Sequence, residues 1–102
     1  MFIITPLKDH LANLPAMIMY KTVPITVADT SVHYLFIPNP INESVVTTIV
    51  QDVSATSNAD QHITTWIQAI NIENNGIKNL LIRYYASAAT SYTYDIRIVF
   101  FY

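Results

Sequence analysis

Short runs of alternating apolar and polar residues recur along the chain, which is the pattern of half-buried β-strands. The clearest run closes it: from Ser91 to Tyr102 every even-numbered residue is tyrosine, isoleucine or phenylalanine. The odd-numbered residues are polar as far as Arg97 and become apolar at Val99 and Phe101. The pattern predicts a strand whose even face enters the core and whose other face is polar first and apolar at its end.

Other runs of this kind predict further strands. They span residues 2–5, 16–22, 25–28, 32–37, 44–53, 63–72 and 77–86. Pro24 lies between two of them, and since proline cannot donate to a ladder, we expect an interruption there, at a sheet edge or a strand start. Isoleucine, valine and threonine make up a third of the residues, and these β-branched types suit a pleated surface.

Asn75-Gly76 is the strongest turn signal in the chain. Both residues tolerate positive φ, so between two extended runs they favour a type I′ hairpin turn. Residues 77–88 also place apolar side chains at helical spacing. The preceding turn and the aromatic pair Tyr84-Tyr85 favour a strand for this segment, with a helix as the alternative.

The fold that these elements predict is all-β: an antiparallel β-sandwich or jelly roll with about seven or eight short strands. The length of 102 residues is that of one domain, with residues 1–15 as a candidate N-terminal arm. The leucines within residues 6–14 are spaced by four and by three positions. At most one short helical turn is therefore expected there, and whether it forms stays open.

The amino-acid composition argues against several classes of function. Charged residues make up 12% of the chain, about half the usual ~25%, while hydrophobic residues make up 52%. With five cations and a net charge of −2, the chain is not expected to bind nucleic acid. No apolar run approaches the ~18 residues of a membrane span. Lys8, Asp9 and His10 interrupt any signal-peptide core, so we expect synthesis in a cytoplasm without a signal peptide.

Few residues are candidates for catalysis or for metal binding. Asp60 and His62 lie two apart and would need a third ligand to hold a metal ion, so a solvated loop is the better interpretation. His33 shares a face with Leu35 and is expected to be a hydrogen-bonded core or interface residue. The single glycine, Gly76, excludes both a nucleophile elbow and a phosphate-cradling loop. We therefore predict no catalytic residues, no metal site, no cofactor and no enzyme activity.

Four aromatic residues are candidates for stacking on sugar rings: Trp66, Tyr85, Tyr92 and Tyr94. Tyr92 and Tyr94 begin the closing strand, where tyrosines form either a carbohydrate-binding rim or a subunit contact. For Trp66 a core position is favoured over an exposed one. The alternative function that these residues indicate is a carbohydrate-binding β-sandwich module.

Apolar residues on both faces of a strand predict an association surface. Besides the end of the closing strand, this excess occurs in residues 16–20 and 35–37. On a chain with so little charge it predicts a contiguous patch, covered by a second copy, by another assembly protein or by the segment Phe2–Leu14. The predicted association residues are Phe101, Val99, Phe2, Ile4, Met17 and Met19.

The first functional hypothesis is therefore a non-enzymatic structural protein that works by self-association or by docking to a larger assembly. Its composition is similar in kind to that of small phage and viral virion components, since it lacks cysteine and is rich in threonine, asparagine, isoleucine and tyrosine. This likeness implies a capsid, decoration or tail part located in a virion.

Overall fold

The computed structural model describes residues 17–54, 61–89 and 91–102, which form six strands and no helix. The strands are β1 Ile18–Val27, β2 His33–Pro38, β3 Thr47–Asp52, β4 Ile63–Asn74, β5 Ile77–Ala86 and β6 Tyr92–Phe101. They pair in two antiparallel sheets, sheet A in the order β1-β6-β3 and sheet B in the order β2-β5-β4. The all-β prediction is confirmed. The strand predicted at 2–5 and the helical turn considered at 6–14 lie outside the described residues.

The described residues form six strands, fewer than the seven or eight predicted. One reason is that the interruption predicted at Pro24 is absent. β1 runs straight through Pro24, which lies opposite Asp95 of β6. Among the described strands β1 is an edge of sheet A, so only one side of its backbone makes ladder hydrogen bonds there and a missing N–H is tolerated. The predicted edge position is confirmed, and the separate strand predicted at 25–28 is wrong.

β4 and β5 form the predicted hairpin. Asn75 and Gly76 both have positive φ, 52° and 78°, as a type I′ turn requires. The segment after the turn is a strand from Ile77 to Ala86, so the helical alternative for it is wrong. β5 becomes the central strand of sheet B, paired with both β4 and β2.

β6 has the two faces that its pattern predicts. The even-numbered residues from Tyr94 to Phe100 are fully buried, and Thr93, Asp95 and Arg97 on the other face are exposed. The core-facing side chains of both sheets belong to one hydrophobic cluster. Sheet A contributes Ile25, Val27, Tyr94, Ile96, Ile98 and Phe100, and sheet B contributes Ile37, Ile63, Leu80, Ile82 and Ala86.

Residues 39–46 carry the chain from sheet B to sheet A, and side chains from both sheets hold them. The Asn71 amide accepts from Val45 N at 2.8 Å and donates to Val45 O at 2.9 Å. The Tyr102 hydroxyl likewise accepts from Ile41 N at 2.8 Å and donates to Ile41 O at 2.7 Å. Each side chain takes the place of a neighbouring strand for one residue of the loop and so satisfies its backbone groups.

Asn71 reaches the loop from an irregular part of β4. The pairing of β4 with β5 shifts register between Ile67 and Ala69, and again between Ala69 and Ile72. Asn71 itself has a φ of 57°, in the left-handed region that asparagine tolerates better than β-branched residues do. The alternating pattern predicted a regular strand over residues 63–72, and the irregularity is a correction to it.

Two tyrosine hydroxyls in this fold have opposite environments. Tyr94 is 0% exposed, and its hydroxyl has no hydrogen-bond partner among the described residues. Burial raises the pKa of Tyr94, and the charges of Asp52 and Tyr92 raise it further. The hydroxyl of Tyr102, by contrast, makes both of its bonds to the backbone of Ile41.

Phenylalanine substitutions at these two positions are expected to have opposite effects. Tyr94→Phe removes an unpaired buried polar group and should leave the free energy of unfolding unchanged or raise it by about 1 kcal/mol. Tyr102→Phe removes two hydrogen bonds and should lower that free energy by about 1–2 kcal/mol. Urea unfolding followed by circular dichroism measures both, and a larger loss for Tyr94→Phe than for Tyr102→Phe would contradict this account.

Candidate functional surfaces

The outer face of sheet A, opposite the core, has an apolar end. Two rows of residues cross the three strands there. One row is Ile18, Phe101 and Thr47, and the next is Tyr20, Val99 and Ile49. The five apolar residues of these rows, Ile18, Tyr20, Ile49, Val99 and Phe101, are named the apolar end. The polar residues of the rows beyond these two, Thr22, Thr26, Gln51, Thr93, Asp95 and Arg97, are named the polar end, and Pro24 lies among them.

The apolar end is exposed and carries no charge. Tyr20 is 66% exposed, and Ile18 and Ile49 are exposed as well. Val99 and Phe101 are half-buried because they lie on the central strand of the sheet. Neither row contains a charged residue. A contiguous exposed apolar patch beside polar residues is the usual mark of an interaction surface.

The structure separates the predicted association residues. Phe101 and Val99 lie in the apolar end, and Met17 is exposed directly before it in the chain. Met19 lies opposite Phe100 on the core-facing side and packs against the hydrophobic cluster. Its assignment to an outer surface is therefore wrong, because a strand residue between two outward neighbours points inward.

Phe2 and Ile4, the other two predicted association residues, lie outside the described residues. Sequence reasoning missed Ile18, Tyr20 and Ile49, although a signal for them exists. The runs 16–22 and 44–53 are apolar on both faces, and the face that the core does not use is the one these residues occupy.

The outer face of sheet B carries four aromatic side chains, Tyr34, Phe36, Trp66 and Tyr85, named the aromatic face. Trp66 is 42% exposed and meets Tyr85 edge to face, with 6.1 Å between ring centroids. Tyr34 and Phe36 form a second perpendicular pair at 6.0 Å. The core position favoured for Trp66 is therefore wrong. Tyr34 and Phe36 were missed as surface aromatics.

Arg83 lies at the centre of the aromatic face, between its Cα partners Tyr34 and Trp66. The Arg83 guanidinium lies 5.6 Å from the centroid of the Tyr34 ring, within cation–π range. Its Nε donates to Oε1 of Gln68. Within residues 17–54, 61–89 and 91–102, no carboxylate forms an ion pair with it.

The chain matches no protein-family model, no curated protein and no solved structure.

Tyr92 and Tyr94 do not belong to either exposed surface. Tyr94 is fully buried, Tyr92 packs against the hydrophobic cluster, and their rings meet edge to face at 4.8 Å. A carbohydrate-binding rim built on Tyr94 is therefore wrong, because a sugar cannot reach it. Of the four predicted stacking residues, Trp66 and Tyr85 are the pair that the structure brings together at the surface.

His33 is the half-buried first residue of β2, and it is hydrogen-bonded to the turn before that strand. Its Nε2 lies 2.7 Å from Oδ1 of Asp29 and 3.2 Å from the hydroxyl of Ser31, and its ring stacks on Tyr84. Hydrogen bonds from Ser31 and His33 lower the pKa of Asp29 to about 2. Because Ser31 and Asp29 meet the same ring nitrogen, the imidazole does not connect them as a nucleophile–base–carboxylate relay does.

The remaining chemical candidate was the pair Asp60 and His62. Asp60 lies outside the described residues, and His62 is exposed with its backbone N–H donating to Oγ of Ser87 at 2.8 Å. The described part of the chain contains no cluster of three or more His, Cys, Asp or Glu side chains that could hold a metal ion, and no pocket. It also contains no helix of the length and apolarity needed to span a membrane.

Proposed function

We propose that the protein is a non-enzymatic, sandwich-like β domain that works by self-association through the apolar end of sheet A. The observation that carries this proposal is the exposed, uncharged apolar surface that spans all three strands of one sheet. A symmetric contact between two copies brings identical residues together, and an uncharged surface allows this without repulsion between like charges. A second copy of the chain is therefore the partner that fits this surface.

The edges of the sheets favour contact through a face. β2 and β3 have only six residues each, β4 has two register shifts, and β1 contains Pro24. Short, irregular or proline-containing edges resist the addition of further strands. Association through the outer face of sheet A accordingly gives a closed contact instead of an endless sheet.

The wider setting we propose is a larger assembly such as a phage or viral particle, with this protein as a capsid, decoration or tail part. A charged fraction of 12% suits a protein whose apolar surface is covered by neighbours. The polar end, with its threonines and the exposed Asp95 and Arg97, supplies the solvent-facing part of the same sheet.

Carbohydrate binding is a second candidate function, because Trp66 and Tyr85 form an exposed aromatic pair. Aromatic rings stack on the apolar faces of sugar rings as they do on other flat groups. This pair lies on sheet B and the apolar end lies on sheet A. The two functions therefore use different surfaces and are compatible.

Methyl NMR with a water-soluble paramagnetic probe tests the proposed contact surface. In dilute protein the methyl signals of Ile18, Ile49 and Thr22 should all broaden, because all three residues are exposed. In concentrated protein the Ile18 and Ile49 methyl groups should become protected, while that of Thr22 in the polar end stays accessible. Protection of Thr22 with continued broadening at Ile18 and Ile49 would place the contact elsewhere.

A further inference from the structure

We propose that the aromatic face binds an acidic sugar, with Arg83 pairing with the sugar carboxylate and Trp66 stacking on the ring. The inference rests on the second candidate function and adds the class of sugar. Three observations on sheet B support it: the row in which Arg83 lies, its lack of a carboxylate partner and its aromatic neighbours. Arg97 on sheet A supplies the comparison.

The row across sheet B places one cation between two aromatic residues. The Cα partners of Arg83 on the two strands beside β5 are Tyr34 on β2 and Trp66 on β4. At the usual strand spacing the two aromatic residues are separated by about 10 Å. A sugar ring stacked on either of them has its substituents within reach of the guanidinium between them.

The charge of Arg83 is not neutralised within the described residues. Its partners there are the Tyr34 ring and the neutral amide of Gln68, and neither ion pair of the described residues includes it. A guanidinium pairs with a carboxylate through two parallel hydrogen bonds, which is the strongest contact that this side chain makes. The surface is therefore complementary to an anionic ligand that also has a flat apolar side.

The exposed aromatics make a sugar acid a better fit than a small inorganic anion. Tyr34 is 61% exposed, and Phe36 and Tyr85 extend the aromatic surface on either side of the row. The chain as a whole is acidic, with a net charge of −2, so a polyanion such as nucleic acid is repelled overall. A short acidic oligosaccharide needs one cation and one or two stacking rings, which this face provides.

Arg97 supplies a matched comparison within the same molecule. It lies on the outer face of sheet A as Arg83 lies on that of sheet B, but Arg97 is exposed where Arg83 is half-buried, and its Cα partners are Thr22 and Gln51. It therefore offers a positive charge with no aromatic residue directly opposite it on either neighbouring strand. Replacing Arg97 by glutamine removes the same charge from the protein as replacing Arg83 does, and leaves the aromatic face unchanged.

Titration with trigalacturonate and with its methyl ester tests the inference, because the ester keeps the sugar rings and removes the charge. Trp66 is the only tryptophan, so its fluorescence reports binding directly. The acid should bind at least tenfold more tightly than the ester. Arg83→Gln should reduce that ratio to about one, Arg97→Gln should leave it unchanged, and Trp66→Phe, followed by calorimetry, should weaken both ligands.

Each other outcome overturns the inference in a distinguishable way. Equal binding of acid and ester that depends on Trp66 would leave carbohydrate binding standing and reject the acidic class. Equal loss of preference in Arg83→Gln and Arg97→Gln would indicate general attraction by net charge. No binding of either ligand would reject the carbohydrate function as well. If raising the protein concentration without any ligand quenches the fluorescence of Trp66, the aromatic face would be assigned to contact between copies.

Discussion

Replacing Asn71 by valine is expected to lower the free energy of unfolding by about 2–5 kcal/mol. Two hydrogen bonds to the backbone of Val45 are lost, and each contributes about 0.5–1.5 kcal/mol. In addition, a β-branched residue is forced into the left-handed region at a φ of 57°, which costs about 1–2 kcal/mol. Urea unfolding at one fixed protein concentration measures the sum.

Asn71→Gly separates the two contributions. Glycine adopts positive φ without strain but has no side chain to bond Val45, so the expected loss is smaller, about 1–3 kcal/mol. Equal losses for the valine and glycine variants would show that the backbone conformation at this position carries no cost. A valine variant within 0.5 kcal/mol of the unmodified protein would contradict the bonding role assigned to Asn71.

The position of Asn71 links the loop to the proposed contact surface. The loop that it holds continues into β3, and Val46 N donates to Phe101 O at 2.6 Å. Asn71 therefore supports one strand of the apolar end without being one of its residues. Weaker association in Asn71→Val than in Asn71→Gly would indicate that a stable loop is needed for the contact.

Replacing Phe101 by glutamate is expected to separate the associated copies while the subunit stays folded. Phe101 lies on the central strand, between Ile18 and Thr47, so any contact across the apolar end covers it. Burying an unpaired carboxylate there costs on the order of 3 kcal/mol, which weakens association about a hundredfold. Sedimentation velocity measures the loss, and circular dichroism verifies the fold.

Thr22→Glu is the matched control for this substitution. Thr22 lies on the same outer face of sheet A, in the polar end, opposite Arg97. It introduces the same negative charge outside the proposed contact and should leave association unchanged. Equal effects of the two substitutions would point to general charge repulsion, and unfolding of Phe101→Glu would place Phe101 in the core.

Local chemistry made some of the fold predictable. The two faces of β6 follow from strict alternation, and the hairpin follows from the ability of Asn75 and Gly76 to adopt positive φ. The irregularity at Asn71 was not predictable, because the residues around it alternate as in a regular strand. It forms where the side chain can bond Val45, 26 positions away in the chain.

The sequence made it possible to predict that an outer apolar surface exists, but not which residues form it. An apolar excess on both faces of a run signals an outer patch, and this signal correctly marked Val99 and Phe101 as outward-facing. Which outward residues share the patch depends on strand order and register, which are set by contacts between distant segments. For the same reason the sequence did not reveal that Trp66 and Arg83 lie side by side.

The most direct test of self-association is the solution mass of the unmodified protein, measured by light scattering after size exclusion over a wide range of concentrations. The account predicts one discrete oligomer that dissociates on dilution and whose mass is a whole multiple of 11.6 kDa. A monomer of 11.6 kDa at every concentration would contradict it.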